Sequence, residues 1–203
     1  MAGDDEGDFL IQVLAGLAGA FVLFNLFRQL GQGYASGAAG FVFSPSAPGS
    51  DLANTLGLPY AVSQAGRDFI KQQEQFSAMP YPDGNGQSVG YGHQVQPGEN
   101  FSYPMSFATG EQVFDSDIAK VEGIINSTVT VPLNQDQVDA LGDFIYRIGA
   151  GNWAKSQLLA DLNAGNYAAA ASDFSHFVRT GGQVSSVLQA RAGAESQTFS
   201  GVA

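Results

Sequence analysis

The spacing of apolar positions changes twice along the chain, and each change marks a boundary. Residues 9–27 (FLIQVLAGLAGAFVLFNLF) are almost wholly apolar and carry no formal charge. At 1.5 Å per residue such a run spans roughly the ~30 Å hydrocarbon core of a bilayer. It predicts a transmembrane helix over 9–30 behind an acidic tail, residues 1–8, that contains Asp4, Asp5, Glu6 and Asp8. A cleavable signal peptide has a positive start, and this start is acidic, so a retained span is expected. A helix docked on a partner protein is the alternative. Residues 31–62 are rich in Gly, Ala, Ser and Pro with no sustained period, and they read as a linker.

From residue 63 onward the pattern is that of a folded domain, 63–203. Ser63 caps a helix running to about Phe76, with Phe69, Ile70 and Phe76 inward. The turn residues Asp83-Gly84-Asn85-Gly86 within 79–93 predict a β-hairpin, because Asp-Gly and Asn-Gly accept the positive φ of tight turns. A helix is expected over about 112–126 on Val113, Ile118, Val121 and Ile125. Another covers 135–148, capped by Asn134 and stopped by Gly149, with Val138, Leu141, Ile145 and Ile148 on one stripe. Shorter helical stretches are expected at 156–163, 167–178 and 185–198. The fold class is α+β: a small hairpin lobe and a helical lobe with a cleft between them.

Charge narrows the choice of partners. Nineteen Asp and Glu against eight Lys and Arg give a net charge of −11, which excludes a nucleic-acid partner for want of a basic surface. The same charge opposes long-range attraction to an anionic cell wall, so action there needs local contacts, salt screening or a tether. A source in salty water explains the acidity equally well. Without cysteine there is no disulfide, thiol chemistry or Cys-based zinc site. His93 and His176 are the only histidines, and no carboxylate cluster accompanies them in sequence, so neither metal nor cofactor is expected. Arg28, just beyond the apolar run, is one weak vote for a domain on the cytoplasmic side.

Among the acids, Glu74 closes an amphipathic helix just before the hairpin, where an apolar wall would raise its pKa by desolvation. Asp83 lies nine residues on, at the mouth of the turn, and Ser88 offers a hydroxyl able to hold a water. Glycoside hydrolysis needs such a protonated acid and a second carboxylate across the scissile bond. A helix-end acid and a turn aspartate are also commonplace without any catalytic role.

The wider pattern is more specific. Glu74, Tyr81, Asp83 and Ser88-Val89-Gly90-Tyr91-Gly92-His93 resemble the phage-type lysozymes of the T4 lysozyme and lambdoid endolysin family. That family carries a helix-borne Glu, a Tyr and an Asp, then Thr-Ile-Gly-Tyr-Gly-His. Pro132 to Gln137, Ile148 to Asn152, Ser156 to Tyr167 and Arg191 to Phe199 are similar to its second lobe, so the resemblance covers about 63–200. It implies a muramidase acting on peptidoglycan glycan strands with inversion at the anomeric carbon. Glu74 would be the general acid, Asp83 the carboxylate that positions water, and Ser88 the counterpart of the family's threonine. Arg191 would approach the acid from the last helix. From their own positions, Tyr91 and Tyr81 are expected to pack in or line the first lobe, with Tyr91 also a candidate for binding substrate or tuning the acid.

Three departures stand out: Gln75 where glycine is usual, one residue fewer between Asp83 and Ser88, and serine for threonine. The shorter turn raises the prospect of a displaced Asp83, which would favour lytic transglycosylation. A degenerate wall-binding virion protein is the non-enzymatic alternative. His93 is expected to pair with a carboxylate, and Trp153 to pack in the core ahead of stacking on sugar. The implied partners are peptidoglycan, the lipid bilayer through residues 9–27, and other virion membrane proteins. The implied location is a virion membrane or the host inner membrane, with the C-terminal domain reaching the wall.

Overall fold

A computed structural model of the chain describes residues 57–84 and 86–201. The acidic tail, the apolar run and the linker up to residue 56 lie outside the described residues. Among the described residues no helix is long and apolar enough to cross a membrane.

The domain begins with α1 (Gln64–Glu74), then a three-stranded antiparallel sheet of β1 (Ser77–Asp83), β2 (Gly86–Gly90) and β3 (His93–Gln94). Next come α2 (Phe107–Thr128), α3 (Gln135–Ile148), α4 (Ala150–Trp153), α5 (Gln157–Asn163), α6 (Tyr167–Asp173) and a 3-10 turn, Phe174–His176. A two-stranded hairpin, β4 (Arg179–Thr180) with β5 (Gln183–Val184), leads into α7 (Ser186–Ser200).

Local chemistry sets most of these boundaries. The side chains of Ser63, Ser106, Asn134, Ser156 and Ser185 each accept a backbone N–H at a helix start. Asn134 forms a full capping box with Gln137, and Gly149 at φ +77° ends α3 where expected. The helix expected over 112–126 is longer, because Ser106 caps it earlier and its inward face runs through Phe114 in place of Val113. Helix α4 and the β4–β5 hairpin were not legible: each is too short to develop a period.

Two cores divide the domain. The smaller holds Val62, Ile70, Tyr91, Phe114 and Ile118, with Phe76 against it. The larger gathers α3, α5, α6 and α7 around Leu141, Phe144, Trp153, Leu158, Phe174 and Phe199. Helix α2 serves both, with Phe114 and Ile118 in the first and Val121 and Ile125 in the second. Tyr146 of α3 packs against both clusters. Trp153 is fully buried, its indole N–H donating to Thr128 Oγ1 at 2.9 Å, so it is a core residue.

The linker boundary needs correction. Tyr60, Ala61 and Val62, assigned to the linker by composition, are strapped to the helical lobe. Tyr60 N donates to Asn126 Oδ1 at 2.7 Å and Val62 N to Glu122 Oε1 at 2.9 Å. Gln135 Nε2 donates to the Ala61 carbonyl at 2.9 Å, and Ser63 N to Asp139 Oδ1 at 2.7 Å. Composition cannot reveal this, since the partners lie 60 to 76 residues away.

His93 fastens the sheet both to α2 and to the loop after β3. Its Nδ1 lies 2.7 Å from Asp117 Oδ2 on α2 and its Nε2 2.8 Å from Glu99 Oε2 in that loop. The Asp117 hydrogen bond raises the imidazole above its ordinary value, against an opposing push from burial, with Glu99 adding to the rise. A raised folded pKa means that the stabilisation is complete below the unfolded value near 6.5 and is lost as pH climbs through the folded value. Asp117 sets the acid limit: the His93 and Lys120 contacts outweigh burial and hold it low, so its share fades as pH falls. His93→Asn is expected to cost about 2 kcal/mol near pH 6, with the deficit shrinking at alkaline pH. Urea unfolding of both proteins from pH 5 to 9 checks this; a deficit that does not change with pH contradicts it.

Candidate active site

Glu74 is the last residue of α1, two residues short of the end expected from periodicity. The chain turns because Gln75 takes φ +55°, ψ 153°, a conformation essentially reserved for glycine. The residue that departs from the family's glycine thus keeps the glycine backbone under strain. Gln75→Gly is expected to raise stability by about 1 kcal/mol, after allowing for glycine's entropy cost. A urea midpoint that stays level or falls contradicts this.

The turn aims Glu74 between β2–β3 and α7. A Cβ built on Gly92 would come within 2.9 Å of Glu74 Oε2, so the glycine (φ +80°) leaves the space that the carboxyl fills. From α7, Arg191 Nη2 forms an ion pair with Glu74 Oε1 at 2.8 Å, and the Glu74 side chain keeps 21% exposure.

Arg191 is not committed to Glu74 alone. Its Nε and Nη2 grip Asp143 of α3 in a fork, at 3.0 and 2.6 Å. Glu195 lies one turn further along α7, 4.0 Å from Arg191 Nε, and takes a bidentate contact from Arg147, at 2.7–2.9 Å from Nη2. Asp143 and Glu195 are each 1% exposed. Burial pushes the Glu195 carboxyl up, and Arg147 opposes that. For Arg191, burial would lower its pKa, and the contacts with Asp143 and Glu74 together outweigh that, so it stays a cation. Two arginines therefore serve three carboxylates.

Asp83 ends β1 and pairs with Gly86 across a two-residue turn, with Gly84 at φ +55°. Ser88, fully buried on β2, donates from Oγ to Asp83 Oδ2 at 2.8 Å. The shorter spacing therefore does not pull the two apart; a bulge between Ser77 and Tyr81 re-registers the strands. Tyr81 stands opposite Ser88 in the ladder. Burial raises its phenol, and the charges of Asp83 and Glu74 add to the rise. Tyr81 thus lies within the field of both carboxylates.

The remaining expectations divide. Tyr91 needs correction: it is 6% exposed, its hydroxyl donates to Glu111 on α2, and its ring packs on Phe76, Phe107 and Phe114. It is a packing residue, with no exposed face for a sugar. His93 does pair with carboxylates. Residues that sequence reasoning missed are Asp143, Arg147, Glu195 and Tyr146. Tyr146 donates to the Tyr91 carbonyl at 2.6 Å, and its phenol is raised first by burial and then by Asp117, Glu74 and Tyr81. The one available signal was an acid, Asp143, inside the apolar run Ala140 to Ile145, which marks a buried charge in need of a partner. No described group of three or more His, Asp or Glu side chains is placed to hold a metal ion.

Known proteins match this arrangement. The phage lysozyme family pattern covers residues 71–195. The endolysin of Bacillus phage PZA is 33% identical over 144 residues, 68% of this chain and 54% of its own length. The SAR-endolysin of Escherichia phage Mu is 36% identical over 117 residues, 57% of this chain and 67% of its own. Among solved structures, a mutant of P22 lysozyme superposes with a TM-score of 0.59 at 31% identity, over 69% of this chain and 98% of that one. The chain spans about half the length of the first curated relatives that it matches. With the pattern spanning both lobes and the superposition taking in nearly all of the P22 protein, this chain belongs to the phage lysozyme family.

Proposed function

We propose that the chain is a peptidoglycan hydrolase that cleaves the β-1,4 bond between N-acetylmuramic acid and N-acetylglucosamine. The observation that carries this reading is the pairing of Asp83 with Ser88 in a hairpin beside a separately held Glu74. Glu74 protonates the glycosidic oxygen. Ser88 spends its one proton on Asp83, so its lone pairs and the second Asp83 oxygen remain to accept both hydrogens of a water. Held in that way, the water presents its own lone pair to the anomeric carbon from the face opposite the leaving group and gives a proton to Asp83 as the new C–O bond forms, and the configuration inverts. Arg191, anchored on Asp143, fixes the Glu74 carboxyl in place.

Lytic transglycosylation, which needs no positioned water, is the second reading, and the intact Asp83–Ser88 contact favours hydrolysis over it. The apolar run 9–27 supports a membrane tether for the enzyme, and the name of the phage Mu relative, a SAR-endolysin, accords with one. The role is opening the host wall, either during genome delivery from a virion or in late lysis. Mass spectrometry of digested peptidoglycan tests the chemistry. Reducing N-acetylmuramic acid ends are expected, and anhydro-muramic ends overturn hydrolysis.

A further inference from the structure

The two carboxyl oxygens of Glu74 have different surroundings. Oε1 meets Arg191 Nη2 at 2.8 Å, and a guanidinium has hydrogens to give but no lone pair to accept one. Oε1 therefore accepts, and the proton of the neutral acid sits on Oε2. That second oxygen lies against Gly92, where an added Cβ would come within 2.9 Å of it. The position of Gly92 thus sets the direction in which the proton is offered.

Gly92 belongs to the turn between β2 and β3, and that turn is permissive by composition. Gly90 and Gly92 flank Tyr91 at φ +65° and +80°, and the ladder pairs Val89 with His93 around all three. Glycine on both sides leaves the backbone free to rock unless something else holds it. The Tyr91 side chain is fastened in the smaller core, by Glu111 at its hydroxyl and by Phe76 and Phe114 at its ring. Its carbonyl is fastened from the other lobe. Tyr146 of α3 donates its hydroxyl to that oxygen at 2.6 Å. The Tyr91 carbonyl and the Gly92 nitrogen share one rigid peptide plane, so the bond fixes the approach to Gly92 as well. The Tyr146 ring is held in turn, 5.7 Å from Phe114 between centroids and packed against both cores. Burial raises its phenol, with charges that include Glu74 adding to the rise, so the donor keeps its proton.

Asp143 and Tyr146 are three residues apart on α3 and so are neighbours on the helix surface. Asp143 grips Arg191, which meets Oε1, while Tyr146 grips the turn that backs Oε2. One helix therefore references both sides of the acid. We propose that Tyr146 is a positioning residue for Glu74, holding its proton-bearing oxygen toward the glycosidic oxygen through the Tyr91–Gly92 peptide. The inference rests on the hydrolase reading, and the test separates the two.

Cleavage of soluble peptidoglycan strands is measured with the full chain and with Tyr146→Phe, each also in the Glu74→Gln background. Phenylalanine keeps the ring in both cores and removes only the hydroxyl. Tyr146 is half-buried, so the freed carbonyl can take water and the variant should fold. The expected result is a kcat about tenfold lower with KM within about twofold, the mark of a misplaced reacting group rather than lost binding. In the Glu74→Gln background the same substitution should cost little, since no proton remains to be aimed. A raised KM with kcat preserved assigns Tyr146 to substrate contact and overturns the proposal. An equal loss in both backgrounds assigns it to general structure and overturns it too, as does no change. If Tyr146→Phe melts earlier by Trp153 fluorescence, the ratio of the two losses still decides, because misfolding scales both alike. A wild type inert on the strands overturns the hydrolase reading, and the proposal falls with it.

Discussion

Replacing Glu74 by glutamine is expected to slow peptidoglycan cleavage by roughly 10²–10⁴-fold, the usual worth of a positioned general acid. The amide matches the carboxyl in size, so the space left by Gly92 stays filled and the turn at Gln75 is undisturbed. It keeps an oxygen for Arg191 to contact but has no proton to give to a glycosidic oxygen. Stability should not suffer. Arg191 keeps Asp143 as its counterion when the neutral amide replaces the Glu74 carboxyl. Zymograms on purified wall, with urea unfolding alongside, separate the two effects. Equal clearing by both proteins removes Glu74 from the mechanism, and a collapse of stability assigns it a structural role.

The largest stability effect should come from the other end of that ion pair. Arg191→Met strips the cation from Asp143, which is 1% exposed and held by the guanidinium fork. Leaving a buried charge without its counterion costs about 3–5 kcal/mol, a third or more of the stability of an ordinary domain. Glu195 loses less, because Arg147 still holds it. The cost should therefore trace to Asp143, and Arg191→Met with Asp143→Leu should recover much of it, since an apolar pair of similar size packs without desolvated charge. Denaturant unfolding of the single and double variants tests this. A single variant within about 0.5 kcal/mol of wild type, a margin ordinary for surface substitutions, contradicts the reading of Arg191 as a buried keystone.

What could be read from the chain alone depends on the range of each interaction. Caps act over three residues, so Ser63, Asn134 and the stop at Gly149 were visible, and α3 lies where they put it. The Asp-Gly turn acts over four, and the hairpin is present. Positions of Glu74, Asp83, Ser88 and Arg191 came from the family pattern, and the fold brings Asp83 to Ser88 and Arg191 to Glu74. Contacts between residues far apart in sequence were not legible. Asp143 and Arg191 are 48 residues apart, and Val62 and Glu122 are 60 apart. Neither spacing has a local signature, so the ion network behind Glu74 and the strap at Tyr60 to Ser63 emerge only in three dimensions. Tyr91 was misplaced for a related reason. It falls in the turn between β2 and β3, where no alternation fixes the direction of a side chain, so its packing on Phe76 and Phe114 has no local signature.

The central claim is that a glycan strand lies with its scissile oxygen at Glu74 and its anomeric carbon facing the Asp83–Ser88 pair. A crystal structure of the inactive Glu74→Gln protein with a peptidoglycan fragment tests it most directly. The side chain at position 74 is predicted within about 3 Å of the glycosidic oxygen, with a water held by Asp83 and Ser88 on the opposite face of the sugar. A fragment bound elsewhere, or one whose anomeric carbon faces away from that pair, would contradict it.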